Sequence, residues 1–377
     1  MDWLFIFSFG FIAYTYLIYP GVVILAGYAL RRGYTSSKEI AQKPNVAVII
    51  PAHNEAGCIA KKIRNILDSS YPSGLLRIVV VSDGSNDGTA EQARLVNDAR
   101  VHVIELPQRQ GKVAAINAGV SLGNDPILVL TDAAEMFCPN AVSCLVQNFA
   151  DPVGGAVSGE LKFIDLDTGF SRNLGLYWRY EKQIRIAESR IGSIIGVTGA
   201  IYAIRRECFR ELPADTILDD VAIPFEVIRQ GYRIRFDPGA YAYERATPGV
   251  AQEFLRKRRT LAGNYQLIFR YFDLLAPFKS PIAVQFLSHK VFRLLVPYAL
   301  LSMLISSWFL APPFKGILLG GQLIFYGLAV AAFFLGQRAW LPIFALPYTF
   351  CMLNWAAVIG CYYYFTGMQT AKWEKVK

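Results

Sequence analysis

The sequence predicts an α/β domain with a largely parallel sheet, joined to helices that cross a membrane. Short apolar runs alternate with polar, helix-like segments through the middle of the chain, as in βαβ units. Nearly uncharged runs near both ends are longer than the ~20 residues that a membrane helix needs. The 377 residues are 54% hydrophobic and 18% charged, and a soluble domain combined with membrane segments explains both values.

The first predicted element is a membrane helix over residues 3–30. Arg31 and Arg32 follow it, whereas a secretory signal carries its positive charge before a shorter apolar run. We therefore favour a retained helix over a cleaved signal. By the positive-inside rule, its N-terminus lies outside and the two arginines lie in the cytoplasm.

Four strands are predicted next, at residues 46–50, 77–83, 101–106 and 127–132. Polar residues follow the first, second and fourth of them. Ligands of open α/β sheets sit at the carboxyl ends of the strands. The sequence therefore places a binding site at that edge.

The chain after residue 250 is predicted to meet the membrane in two ways. Residues 252–275 mix a basic cluster with apolar side chains, which predicts an amphipathic helix in the membrane interface. Three apolar stretches then follow at about 284–310, 316–335 and 341–365. Four crossings in total would place the lysine-rich C-terminus outside, against the positive-inside rule, so one of the three could lie in the interface instead.

The predicted organisation therefore has four parts. They are an N-terminal transmembrane helix (1–32), a cytoplasmic catalytic domain (45–250), an amphipathic interface region (251–280) and a C-terminal membrane region with about three transmembrane helices (281–377).

The net charge of +9 favours contact with an anionic lipid surface and an anionic substrate. Nucleic-acid-binding motifs are missing from the sequence, so we expect no nucleic-acid partner. The six cysteines form no CxxC pair, which predicts free thiols in a reducing compartment.

Three loops predict a nucleotide pocket. "IIPAHNE" supplies Pro51, Asn54 and Glu55, and "VVVSDGSNDGT" places Asp83 at a strand end, where it can accept a hydrogen bond from a base or a ribose hydroxyl. "RQGKVAAINAGV" puts Lys112 at a helix start, where a lysine can neutralise phosphate. Each loop alone could be a helix-capping turn. Together they favour a nucleotide site.

The stretch "ILVLTDAAEMF" ends a strand at Asp132. A metal-binding Asp usually has a second carboxylate nearby, but Ala133 and Ala134 follow and the next acid is Glu135. The residues alone leave open a metal site, a damaged metal site and a polar strand end.

The order PxxNE, SDGSxDxT, GKxxAxNxG, a strand-end Asp, an acidic pair and an Arg-rich helix resembles the family 2 membrane glycosyltransferases. Relatives in that family include cellulose, hyaluronan and poly-N-acetylglucosamine synthases, and the resemblance covers about residues 45–275. It implies a single α/β GT-A domain, a nucleotide-sugar donor (a UDP-sugar first), a divalent metal (Mg²⁺ or Mn²⁺) and inversion at the anomeric carbon.

The resemblance also implies roles for the donor loops. Asp83 would contact the nucleobase, with Asn54 and Glu55 near the base and ribose and Lys112 near the nucleotide. Pro51 belongs to the same motif as Asn54 and Glu55 and is placed with the donor.

In the family the metal motif is DxD, so Asp132 matches and the second acid does not. On an extended chain, Glu135 would point to the other side. The metal would be held by Asp132, the donor diphosphate and waters, as suits Mg²⁺.

The pair Asp219 and Asp220 would be the catalytic centre. Asp220 would be the general base that takes the acceptor's hydroxyl proton, and Asp219 would set its position or pKa. The alternative is that the pair caps the helix that follows.

Two further segments carry implied roles. "GVTGAIYAIRR", with Thr198 and Gly199, would line the acceptor pocket, although glycine packing at a seam is an alternative. On the basic helix, Arg259 matches the Arg of the family's QxxRW element and would contact the donor diphosphate, with Arg258 as an alternative ligand. Thr260 replaces the Trp that lines the acceptor terminus. A contact with anionic lipid is the alternative for this cluster.

The expected protein is an inner-membrane enzyme whose catalytic domain faces the cytoplasm. Its acceptor would be a growing polysaccharide or a polyprenyl-linked saccharide. One-step transfer, or polymerisation with partner subunits, is favoured by the small membrane region and the missing Trp. A processive synthase and a catalytically weak assembly subunit are the alternatives.

Overall fold

The computed structural model describes residues 2–30, 42–164, 169–245, 250–336 and 342–372. Arg31, Arg32 and the end of the lysine-rich tail (373–377) lie outside the described residues. The six cysteines are all described, and all are free thiols.

One eight-stranded sheet forms the centre of the α/β domain, in the order β3-β2-β1-β4-β7-β6-β8-β5. The first four strands pair in parallel, as do β6 and β8, whereas β7 and β5 pair antiparallel to their neighbours. The predicted parallel half of the sheet is confirmed. The strands are β1 Val46–Ala52, β2 Leu76–Asp83, β3 Val101–Leu106, β4 Ile127–Leu130, β5 Met136–Phe137, β6 Gly154–Ile164, β7 Tyr202–Arg205 and β8 Arg233–Arg245.

Helices cover both faces of this sheet, so the central strands are apolar on both sides. In β1, Ala47 and Ile49 join one buried cluster, whereas Val46, Val48 and Ile50 join the cluster on the opposite face. This explains why β1 reads as an unbroken apolar run. The helices are α1 Asp2–Ala13, α2 Tyr19–Ala29, α3 Ile59–Leu67, α4 Thr89–Arg94, α5 Lys112–Ser121, α6 Ala141–Gln147, α7 Gly169–Ile191, α8 Asp219–Arg229, α9 Val250–Arg270, α10 Ala283–Gln285, α11 Phe292–Ser307, α12 Phe314–Leu335 and α13 Pro342–Phe365.

Four apolar helices in the described part of the chain are long enough to cross a membrane. We number them first to fourth: Asp2–Ala29, Ala283–Ser307, Phe314–Leu335 and Ile343–Phe365. Their bounds agree with the predicted apolar stretches to within a few residues.

A wider, π-helical turn interrupts the first apolar helix just before Pro20. Proline has no N–H to give to the carbonyl four residues earlier, which here belongs to Tyr16. That carbonyl instead accepts a hydrogen bond from the Tyr180 hydroxyl at 2.7 Å. The irregular turn therefore joins the first apolar helix to α7.

The basic helix α9 lies directly against the turn that precedes α8. A Cβ on Gly263 would lie 2.5 Å from Leu218 Cγ, so a side chain at this position would push the two elements apart. On the other side of α9, a Cβ on Gly360 of the fourth apolar helix would lie 3.0 Å from Ala262 N. The basic helix is thus held between the turn that precedes α8 and the apolar helices.

Candidate active site

A cavity of about 780 Å³ opens at the carboxyl edge of β1 and β4 and extends between α8, α9 and the apolar helices. Eleven of the thirteen residues that the sequence assigns to the site line it. They are Pro51, Glu55, Lys112, Asp132, Thr198, Gly199, Asp219, Asp220, Arg258, Arg259 and Thr260.

Asn54 and Asp83 do not line this cavity. Asp83 is fully buried, and its two oxygens accept the backbone N–H groups of Gln110 at 2.6 Å and Gly111 at 2.8 Å. Asn54 Oδ1 accepts the backbone N–H of Asn86 at 3.0 Å. Both side chains therefore tie the donor loops together, and their contacts with base and ribose stay predictions.

Lys112 joins Asp132 to the pair Asp219 and Asp220. Its Nζ lies 2.7 Å from Asp132 Oδ1 and 3.2 Å from Asp219 Oδ2. Burial alone would lower the pKa of Lys112, but the carboxylates of Asp132 and Asp219 outweigh burial and raise the pKa. Lys112 therefore stays positively charged at neutral pH.

Close packing fixes the position of Lys112. A Cβ on Gly119 would lie 2.6 Å from Ile49 Cγ2, so this glycine lets α5 approach β1. At the other end, a Cβ on Gly199 would lie 3.5 Å from both Lys112 Nζ and Asp220 Cβ. Gly199 therefore borders the lysine and the proposed base.

Asp219 and Asp220 form the first turn of α8. Asp219 is buried, whereas Asp220 is only partly buried and lines the cavity. The backbone carbonyl of Asp220 accepts the N–H of Val197 at 2.9 Å, which fixes the "GVTG" loop beside it. The pair therefore divides into a buried member and one that can reach a substrate.

Three cations from three different elements act on Asp220. Burial and the neighbouring Asp219 raise the pKa of Asp220, and Lys112, Lys290 and Arg259 oppose that rise. A raised pKa makes this carboxylate a better proton acceptor than an exposed aspartate.

The basic helix contributes side chains that already have contacts within the protein. Arg259 Nη2 donates to the carbonyl of Ile217 at 3.0 Å, two residues before Asp219. The Arg258 guanidinium lies 4.1 Å from the centre of the Tyr363 ring. Thr260 Oγ1 donates to a carbonyl of its own helix at 3.0 Å. A threonine has no aromatic ring, so it cannot replace the flat surface of the Trp in the family's motif.

Arg185 of α7 was not predicted from the sequence, and it holds the "GVTG" loop. Its guanidinium donates to Thr198 Oγ1 at 2.8 Å and to the Gly196 carbonyl at 2.9 Å. The Thr198 N–H in turn donates to Ser158 Oγ at 2.9 Å. Thr198 is therefore fixed by the protein, and its contact with an acceptor stays a prediction.

The residues after Asp132 do not continue as an extended strand, because β4 ends at Leu130 and a bend follows. Alternation along an extended chain does not apply there, and Glu135 lines the same cavity as Asp132. The Glu135 carbonyl accepts a hydrogen bond from the buried Lys62 ammonium. Burial, Asp132 and Glu244 together raise the pKa of Glu135. Glu135 therefore borders the cavity that Asp132 lines, and the direction of its side chain relative to Asp132 stays a prediction.

These acids fit a divalent cation that has few protein ligands. The Asp132 side chain is 39% exposed, and the buried Glu135 Oε2 has no hydrogen-bond partner among the described residues. No group of three His, Cys, Asp or Glu within those residues is arranged to hold a metal by itself. Mg²⁺ commonly uses one or two carboxylates together with substrate phosphates, and Asp132 and Glu135 would supply those carboxylates.

The sequence motifs did not predict the side of the cavity nearest the apolar helices. Among the residues that line it are Tyr16, Glu181, Lys290, Arg293 and Asn354. A signal was present, since Lys290 and Arg293 interrupt a predicted membrane helix and intramembrane charges usually mark a functional site.

Comparison with known proteins gives a family match over part of the chain. Residues 47–212 match the model of the family "Glycosyl transferase family 2". The chain is 27% identical over 259 residues to "Probable glycosyltransferase YdaM" of Bacillus subtilis, covering 62% of this chain and 58% of that protein. It is 28% identical over 233 residues to an "N-acetylglucosaminyltransferase" of Rhizobium meliloti, covering 57% and 54%. It is 21% identical over 233 residues to a "Poly-beta-1,6-N-acetyl-D-glucosamine synthase" of Staphylococcus aureus, covering 60% and 56%.

The chain thus spans a little more than half the length of these relatives. Among solved structures, it resembles the mannosyltransferase PcManGT from Pyrobaculum calidifontis in complex with GDP-Man and Mn²⁺. The TM-score is 0.72 at 22% identity, covering 96% of this chain and 99% of that one. This likeness shows a GT-A-like fold with its flanking helices.

Proposed function

The chain carries a glycosyltransferase family 2 domain with a GT-A-like fold, and from this premise we propose an inverting, membrane-bound glycosyltransferase. It moves a sugar from a nucleotide-sugar donor to the hydroxyl of a saccharide or a lipid-linked saccharide. The convergence of Lys112, Asp132, Asp220 and Arg259 on one cavity carries this proposal. The GDP-Man in the neighbouring structure supports a nucleotide-sugar donor.

In the proposed reaction, Asp220 is the general base. The acceptor oxygen attacks the anomeric carbon while the bond from that carbon to the diphosphate breaks. The nucleoside diphosphate leaves with the electron pair, and the acceptor's proton moves to Asp220. Inversion follows because the base and the leaving group lie on opposite faces of the sugar.

The negative charge that develops on the diphosphate is stabilised by fixed cations. Arg259 is held by the Ile217 carbonyl, and Lys112 is held by Asp132 and Asp219. Preorganised charges of this kind commonly make the largest single contribution to stabilising the transition state in an enclosed site. A divalent cation held by Asp132 and Glu135 would supply further charge neutralisation at the diphosphate.

The acidic site yields a metal prediction. Turnover should require Mg²⁺ or Mn²⁺ and stop in excess chelator. Ala134 is exposed at the cavity, so Ala134→Asp should lower the metal concentration that gives half-maximal rate, by about tenfold for one added carboxylate ligand. Ala134→Asn, which adds similar volume without charge, is the matched control.

Two results would contradict this metal prediction. Full turnover in chelator would remove the metal from the mechanism. An unchanged metal requirement in Ala134→Asp would show that Glu135 or the donor already completes the site.

The proposed function is tested with the purified chain in nanodiscs and a panel of nucleotide sugars. UDP-N-acetylglucosamine comes first, because two of the relatives above are named for N-acetylglucosamine, and GDP-mannose follows. Release of nucleoside diphosphate is measured with and without extracted lipid. The proposal predicts release from at least one donor, and the absence of both donor binding and release would refute it.

The same panel separates the alternatives. Long polymer formed from donor alone identifies a processive synthase, whereas addition of one sugar to lipid identifies one-step transfer. An assembly subunit of a synthase complex would bind nucleotide weakly and release no diphosphate.

We propose that the catalytic domain faces the cytoplasm and that the third apolar helix does not complete a crossing. Lys290, near the start of the second apolar helix, lines the cavity, and so do Gln369 and Lys372, which follow the fourth. Three full crossings between these points would place them on opposite sides of the membrane. In the described part of the chain, Phe314–Leu335 contributes no residue to the cavity. This topology also leaves the lysine-rich tail in the cytoplasm, as the positive-inside rule requires.

A protease site appended to the C-terminus tests this topology. It should be cleaved in inverted vesicles and protected in intact cells. Cleavage only in intact cells would contradict the proposal and restore three full crossings.

A further inference from the structure

The second apolar helix brings three ionisable side chains to the cavity that contains Asp220. They are His289, Lys290 and Arg293. Ionisable groups are costly in a membrane helix, and those that are retained usually face a polar cavity and act in binding or transport. Two of the three have a structural explanation, and Lys290 does not.

His289 and Arg293 each contact acidic side chains of α7. The His289 ring nitrogens lie 3.0 Å from Glu188 Oε1 and 2.9 Å from Glu181 Oε2. Arg293 Nη1 donates to Glu181 Oε1 at 2.6 Å. This network joins the second apolar helix to the catalytic domain, and its members compensate one another's charge.

Lys290 stands outside that network. Among the described residues it makes no hydrogen bond and no ion pair within 4.0 Å. At longer range it is attracted by Asp220 and Glu181 and repelled by Arg293 and Arg185. Its ammonium group therefore faces the cavity beside the proposed base without a direct protein counter-charge.

The aromatic residues of the cavity argue against a neutral sugar chain as the partner of this lysine. Within the described lining, the aromatic residues are Tyr16 and Trp178. The Arg293 guanidinium lies 5.9 Å from the centre of the Tyr16 ring, and Lys257 Nζ lies 5.4 Å from the centre of the Trp178 ring. Each of the two rings on which a sugar could stack therefore already has a cation near it.

The donor does not need Lys290 as a phosphate ligand. Arg258, Arg259 and Lys112 reach the cavity from α9 and α5, whereas Lys290 approaches Asp220 from the membrane helices. A cation on that side suits a second anion, which enters with the acceptor.

We propose that Lys290 binds the phosphate group of a membrane-anchored acceptor, so that the acceptor class is a saccharide linked to lipid through phosphate or diphosphate. This inference rests on the proposed function and selects one of its acceptor classes. The lipid phosphate stays intact in the reaction, and Lys290 holds it while the acceptor hydroxyl reaches Asp220. Lys290 thereby determines acceptor specificity and takes no proton.

The test measures binding to the full chain in nanodiscs, with the donor site filled by saturating nucleoside diphosphate. The probes are a short-chain prenyl diphosphate, the matching prenyl alcohol and inorganic diphosphate. We expect the prenyl diphosphate to bind at least about tenfold more tightly than either of the other two. Comparison with the prenyl alcohol measures what the phosphate groups contribute to binding. Comparison with inorganic diphosphate measures what the prenyl chain contributes.

The variants are Lys290→Met, Lys290→Arg and, as a matched control on another apolar helix, Lys315→Met. Lys290→Met should weaken prenyl diphosphate binding by about tenfold or more, with nucleotide binding unchanged as proof of folding. Lys290→Arg should keep most of the affinity, because it keeps the charge, and Lys315→Met should keep all of it. With a lipid diphosphate saccharide, Lys290→Met should raise the acceptor KM more than it lowers kcat.

Equal affinity of the native chain for prenyl diphosphate and prenyl alcohol would overturn the inference. An equal loss of affinity for prenyl diphosphate and for prenyl alcohol in Lys290→Met would also overturn it. Because binding is measured without turnover, a chain that binds the lipid diphosphate but uses no nucleotide sugar would refute the proposed function and leave this site standing.

Discussion

Replacing Asp220 by Asn is expected to lower kcat by about 10³-fold, within the range usually lost with a general base. The amide keeps the shape of the carboxylate and cannot accept the hydroxyl proton. Donor affinity should not fall, because loss of the Asp220 charge leaves less negative charge opposing Lys112 and Arg259, the proposed diphosphate ligands. Kinetics with the donor found in the panel, together with nucleotide binding by calorimetry, measure both effects.

Asp215→Asn is the matched control. Asp215 precedes the same helix but pairs with Arg270 at the surface, where an ion pair contributes little. The control should keep native kinetics. A near-native rate in Asp220→Asn would remove Asp220 from the role of base, and an equal loss in both variants would point to a folding defect.

The pH profile of the native chain gives an independent check on the base. Burial and Asp219 raise the pKa of Asp220, and the active form is the deprotonated carboxylate. Activity should therefore rise with pH through a value above the ordinary aspartate pKa of about 3.9. Asp220→Asn should lose that limb of the profile.

The sheet was predictable because its strands are buried on both faces. The β1 and β2 runs are apolar throughout for that reason, and each ends in polar residues at one edge of the sheet. The strands β5 to β8 were not predicted; β5 and β7, which pair antiparallel to their neighbours, have only two and four residues. The GT-A-like fold came instead from the order of the motifs.

The candidate site was predictable where a motif marks a residue and not where packing brings a residue in. Asp220 and Lys112 were found by motif, and they share one cavity. The bend after β4 that returns Glu135 to that cavity depends on where the strand ends, which the sequence did not reveal. Arg185 carries no motif, and its role is visible only through its bonds to Thr198 and Gly196.

The second acid of the family's metal motif is missing, and the structure suggests how the charge balance is kept. Asp132 is ion-paired with Lys112, so a single acid is neutralised before any donor or metal arrives. Burial, Asp132 and Glu244 raise the pKa of Glu135, and the nearby Lys62 ammonium opposes that rise. Lys112 is therefore the counter-ion both for Asp132 on one side of the cavity and for Asp219 on the other.

Replacing Lys112 by Met is expected to damage both stability and catalysis. Asp219 is buried, and removal of its cation leaves an uncompensated charge, which costs about 3 kcal/mol. The donor diphosphate also loses a fixed positive charge, which should lower kcat/KM by about 10²-fold to 10³-fold. Thermal unfolding in detergent and donor kinetics measure the two effects separately.

A double variant distinguishes these two causes. Lys112→Met combined with Asp219→Asn removes the uncompensated charge, so it should recover most of the lost stability. It should not recover kcat/KM, because the diphosphate still lacks its cation. Lys61→Met, on an exposed position of α3, is the control and should change neither quantity. Recovery of activity together with stability in the double variant would show that Lys112 acts only as a counter-ion for Asp219, and the donor role proposed for it would be wrong.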